Sequence, residues 1–170
     1  MRLLKGLTRK WKKQKPKLTR RRKQRGGAAG LAVHFHTTGV NATSSVGVVS
    51  KDKVQEKPQV RWNKLPGRLT FICWDPDAPE PAKAKGFLHW FASNQTDTQP
   101  TNSQFDWTPP APPHGFPHHY YFGLYQQTDG SQVSVPTERM PFRIDEFVAE
   151  NKLILLEKVG FITETTSWFG

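Results

Sequence analysis

The sequence predicts a mostly-β domain with one or two helices, carried behind an extended basic N-terminal arm. Three observations lead there. The 170 residues include 14 Pro and 13 Gly alongside 11 Phe and 6 Trp, a composition that suits short strands and turns better than a helical bundle. From about Lys57 onward, short apolar runs alternate with turn residues. The positive charge is confined to one end of the chain.

That segregation is sharp. Residues 1–27 hold 13 Lys or Arg and no Asp or Glu, whereas the remainder holds 12 Lys or Arg against 14 Asp or Glu. A polycation of this density repels itself and buries too little apolar surface to fold alone, so residues 1–27 are expected to stay extended until a polyanion neutralises them. Arg9, Lys10, Lys12, Lys13, Lys15, Lys17, Arg20, Arg21, Arg22, Lys23 and Arg25 are the candidate RNA-binding residues, since each phosphate contact releases counterions. Composition also fits a mitochondrial presequence, with Leu3, Leu4, Leu7 and Trp11 on one helical face, or an element that lies on an acidic lipid surface. Residues 28–56, rich in Gly, Ala, Ser and Thr, read as a linker with a possible edge strand around "SVGVVS".

The domain proper is expected over 57–170. "QVRW" and "RLTFICW" flank the turn "NKLPG"; "FLHWFAS" and "HYYFGLYQQ" are two further strands either side of the Pro-rich stretch 95–117. "FRIDEFVAENK" places Phe142, Ile144, Phe147 and Val148 near helical spacing, and "VGFITETTSW" alternates as a final strand. The single cysteine, Cys73, lies in an apolar run and reads as a buried thiol. No apolar run reaches the roughly eighteen residues of a membrane span.

Asp75 and Asp77 follow a strand end between prolines, and alternation aims both carboxylates at one spot. His89 alternates with Phe87 and Phe91, which puts its imidazole on their face. His118, His119 and Tyr120 open a strand after the loop "APPHGFP". Aspartates in such a turn also cap backbone N–H groups, and the two readings are compatible. No nucleophile elbow or phosphate loop accompanies them, so no catalytic residue is expected. His34, His36, His114, His118 and His119 are metal-ligand types without a closed-site spacing, so neither metal nor cofactor is expected.

"DPDAP" at 75–79, "LHW" at 88–90 with Asn94, and "PPHGFPHHYYFGLYQQ" at 112–127 together resemble the phosphatidylethanolamine-binding protein (PEBP) family, which includes Raf kinase inhibitor protein. The resemblance covers about residues 57–170 and implies a β-sandwich with a small pocket that accepts phosphate-like anions. By that comparison the pocket residues are Asp75, Asp77, Pro79, His89, Pro112, Pro113, Gly115, His118 and Tyr120. Two departures stand out: Ala111 replaces the usual Gly before the Pro-Pro pair, and His119 replaces the usual Arg. A PEBP-like domain with a nucleic-acid-binding arm also resembles the family's branch in the mitochondrial large ribosomal subunit. It implies a structural, non-enzymatic protein of the mitochondrial matrix, with rRNA and neighbouring ribosomal proteins as partners. The alternative is a cytoplasmic PEBP-type binder of phospholipid headgroups, phosphate-like anions or regulatory protein partners.

Overall fold

The computed structural model describes residues 29–80, 83–128 and 132–164. The basic arm and its candidate RNA-binding residues lie outside the described residues, as do 165–168 of the expected last strand.

Eight strands form two sheets. β1 (Ala32–Phe35), β2 (Val40–Asn41) and β4 (Gln59–Arg61) make a three-stranded sheet in the order β2-β1-β4. The larger sheet runs β3-β8-β7-β5-β6, from β3 (Gly47–Ser50) through β8 (Ile154–Glu164), β7 (His118–Gln126) and β5 (Leu69–Asp75) to β6 (Phe87–Gln95). Its pairs are antiparallel except β3 with β8. The expected mostly-β sandwich is therefore present, with one α-helix, α1 (Ile144–Glu150), and one 3-10 turn at Lys51–Val54 among the described residues.

The sheets face each other across an aromatic core. Phe35 meets Phe161 with ring centroids 5.7 Å apart, and Trp62 stacks on Phe71 at 5.9 Å. A second cluster covers the opposite face of the large sheet, where Ile72, Trp74, Leu88 and Phe91 pack under Phe142, Phe147 and Val148. β5 is thus covered on both faces, which is why all seven of its residues are buried and why its sequence runs apolar almost without alternation. The helix presents its predicted apolar residues to that second cluster.

Residues 29–56 correct one expectation. Their composition suggested a linker, yet they carry β1, β2 and β3, and Val33, Phe35 and Val54 are essentially inaccessible. The strands are short and interrupted by Gly and Thr turns, but Val33 and Phe35 alternate with exposed neighbours and close the sandwich. The strand around "SVGVVS" is β3, at the margin of the large sheet.

Candidate anion site

The antiparallel order of β5, β6 and β7 brings the end of one strand beside the beginnings of two others. Asp75, last in β5, pairs in register with Phe87, first in β6, while Trp74 pairs with Tyr121 near the start of β7. Asp75, His89, His118 and Tyr120 therefore meet at one end of the sheet, drawn from three strands.

Asp75 is the centre, 2% exposed. Its Oδ1 accepts the backbone N–H groups of Asp77 (2.7 Å) and Ala78 (3.1 Å), which closes the turn after β5. Its Oδ2 accepts from His118 Nδ1 at 2.7 Å. The Tyr120 hydroxyl lies near Asp75 and near the backbone of Ala111. Burial, then the Asp75 charge, raises the Tyr120 phenol far above its usual range, so it stays a donor. The turn-capping reading and the site reading of Asp75 both hold, one for each carboxylate oxygen.

Two predicted orientations are overturned. Asp77 does not aim at the same spot as Asp75: its Oδ2 accepts both the backbone N–H and the Nδ1 hydrogen of His119, each at 2.8 Å. Alternation ends at Asp75, where the chain turns, so the two carboxylates part. Along β7 the side chains of His118 and Tyr120 face the inter-sheet core, whereas His119 stacks on Tyr121 at 5.8 Å on the other face. His119 thus serves Asp77 and stands apart from the Asp75 group.

His89 does not share the face of Phe91. Trp74 pairs with Leu88 but Cys73 pairs with Trp90, a register shift that leaves His89 as the extra residue of a β-bulge. The bulge flips the phase, so Phe91 joins the cluster under α1 while His89 lies against Tyr120 (5.1 Å) and Trp107 (6.2 Å). Its Nδ1 donates to the Thr108 carbonyl at 2.6 Å, and burial pushes its pKa down to about 4. His89 is neutral at ordinary pH.

Of the remaining pocket residues, Pro79 follows a cis peptide bond and is exposed, and Pro112 is buried in the loop that delivers Ala111. Pro113 and Gly115 are exposed on that loop, where Phe116 N–H closes a turn on the Pro113 carbonyl. Sequence reasoning missed Thr108, Trp107 and Arg139. Arg139 donates to the carbonyls of Leu88 (2.9 Å), His89 (3.1 Å) and Asp106 (2.8 Å), tying the bulge to the Pro-rich loop. No local pattern marks these residues, because they act through long-range contacts and backbone atoms.

One atom stands out. His118 Nε2 is buried without a hydrogen-bond partner, and a polar atom left so is costly unless something fills the site. Among the described residues no three His, Cys, Asp or Glu side chains are grouped to hold a metal ion.

The family profile "Phosphatidylethanolamine-binding protein" matches residues 31–160. The chain belongs to the phosphatidylethanolamine-binding protein family. The match begins at Leu31, just before β1 and well before the segment that carries the recognisable motifs, in line with the strands found in 29–56. The Arabidopsis thaliana protein CENTRORADIALIS-like is 32% identical over 103 residues, 57% of this chain and 58% of that relative's length. Among solved structures, a carboxypeptidase Y inhibitor complexed with its cognate proteinase superposes with a TM-score of 0.69 at 24% identity, over 82% of this chain and 84% of that one. The Plasmodium vivax phosphatidylethanolamine-binding protein gives 0.64 at 12% identity, over 80% and 85%.

Proposed function

We propose that this protein is a non-enzymatic PEBP-type binding module whose Asp75–His118–Tyr120 site accepts a phosphate-like anion, presented by a lipid headgroup or a regulatory partner. The observation that carries the reading is the buried, unpartnered Nε2 of His118, whose ring is held by a carboxylate engaged through both oxygens. With Nδ1 directed at the Asp75 carboxylate, Nε2 is the ring atom left to meet a ligand. No residue here combines a nucleophile with a base, and no chemical step is assigned. Calorimetric titration of the full chain with inorganic phosphate tests the reading. Saturable binding that His118→Gln abolishes supports it; no heat up to millimolar phosphate refutes it.

A second reading is favoured by the 13 cations and absent acids of residues 1–27. It makes the protein an rRNA-binding constituent of the mitochondrial large ribosomal subunit, with the sandwich as an architectural module. A chain lacking residues 1–27 would then lose co-sedimentation with large subunits, and unchanged co-sedimentation would end this reading.

A further inference from the structure

Trp74 differs from the other buried indoles in what its N–H meets. Trp62 donates to the Asp97 carbonyl and Trp90 to Ser103 Oγ, each at 2.8 Å. The Trp74 N–H has no acceptor among the described residues, although the residue is only 4% exposed. A buried indole usually finds a partner for this hydrogen, its one polar group. The ring's orientation shows where the N–H lies. A Cβ on Gly123 of β7 would stand 3.0 Å from Trp74 Cζ3, so the benzene edge is turned toward β7. Nε1 sits on the opposite edge of an indole and turns away from β7. It is not among the polar atoms sealed off without a partner, which are Thr70 Oγ1, His118 Nε2 and Thr163 Oγ1.

Trp74 lines a groove of about 240 Å³ between the end of β5, Lys85 and Gly86, and residues 142–146. Trp74, Phe142 and Ile144 give it an apolar floor. Lys85 and Arg143 bring two cations to its rim. Lys85 is exposed and has no ion pair among the described residues, and Arg143 reaches Glu146 only at 3.8 Å. An unpaired N–H and two cations above an apolar floor suit an anion carried on an apolar body, and a planar carboxylate matches a guanidinium best. Asp145 and Glu146 stand on the same rim and repel a second negative charge. A cavity of roughly 150 Å³ accommodates benzene, so this groove has room for one ring and its acid group.

We infer that this groove binds a monocarboxylate on a compact apolar body, its acid group meeting Lys85, Arg143 and the Trp74 N–H. A free aromatic acid and the C-terminal residue of a peptide share that chemistry. The groove lies on the α1 face of the large sheet, whereas Tyr120 of the Asp75 group packs in the inter-sheet core, so the inference does not depend on the anion reading. The test is nitrogen-resolved NMR of the indole N–H groups in the full chain, titrated with phenylacetate, N-acetylphenylalanine and phenylacetamide. The amide keeps the ring and lacks the charge. The Trp74 signal, identified by its loss in Trp74→Phe, should shift saturably with an acid, and the amide should bind about tenfold more weakly. Tighter phenylacetate assigns the free acid, and tighter N-acetylphenylalanine assigns the peptide terminus. Lys85→Gln, a change at an exposed side chain, should weaken the acid about two- to fivefold and leave the amide unaffected. Equal affinity for acid and amide overturns the inference, as does unchanged acid binding in Lys85→Gln or a Trp74 signal that stays still up to millimolar acid. His118→Gln should leave the Trp74 shift intact; its disappearance there would place the acid at the Asp75 group and overturn the groove.

Discussion

Asp75 is the residue on which the site turns. Replacing it with Ala leaves His118 Nδ1 and two backbone N–H groups without their acceptor. Asp75→Ala should lower stability by on the order of 3 kcal/mol in denaturant unfolding, and a loss below about 0.5 kcal/mol would contradict this geometry. His89 supplies a pH signature. Its folded pKa of about 4 lies below the ordinary value of 6.5, so the unfolded chain binds the extra proton more readily between those limits. Its contribution is complete above about pH 6.5 and lost as pH falls toward 4, up to about 3 kcal/mol. In His89→Phe this part of the acid destabilisation should disappear. The motifs around Asp75, His89, His118 and Tyr120 singled out four residues that the structure groups at one end of the large sheet. They did not carry the orientation of the side chains. Strict alternation sent Asp77 toward Asp75 and His89 toward Phe91, and a turn and a bulge, both set by tertiary pairing, undid each.

β5, β6 and β7 were legible because each is a long apolar run bounded by turn residues, and α1 because Phe142, Ile144, Phe147 and Val148 keep helical spacing. β1 and β2 were not, and β3 only as a possible edge strand, since strands of two to four residues among Gly, Ser and Thr resemble a linker until their partners are known. Their burial makes a prediction. Phe35→Ala should cost about 3–5 kcal/mol, as expected for a fully buried ring against Phe161 and Trp107, whereas a true linker would tolerate it. Gly86, immediately before β6, has φ +73°, and a Cβ there would stand 2.1 Å from the Phe142 carbonyl oxygen. Both Gly86 and Lys85 carbonyls accept the Phe142 N–H, so backbone meets backbone where the α1 segment docks. Gly86→Ala should therefore loosen that segment, seen as faster amide exchange through α1 and a lower melting temperature; unchanged exchange would contradict the close approach.

For the whole molecule, charge divides the chain into two parts that sequence composition read with unequal success. The basic excess of residues 1–27 was plain, and so was the mostly-β class, but the boundary between tail and domain was placed some thirty residues too late in the chain. What the sandwich accomplishes is to carry one carboxylate, two histidines and a tyrosine from three strands to a single buried point. The test that bears most directly on that claim is nitrogen-resolved NMR of the histidine rings in the full chain during titration with inorganic phosphate. Saturable shifts at His118 and His89, with His34 and His36 on the remote small sheet unmoved, are the predicted result. Shifts of equal size at every histidine, or none at all up to millimolar phosphate, would contradict it.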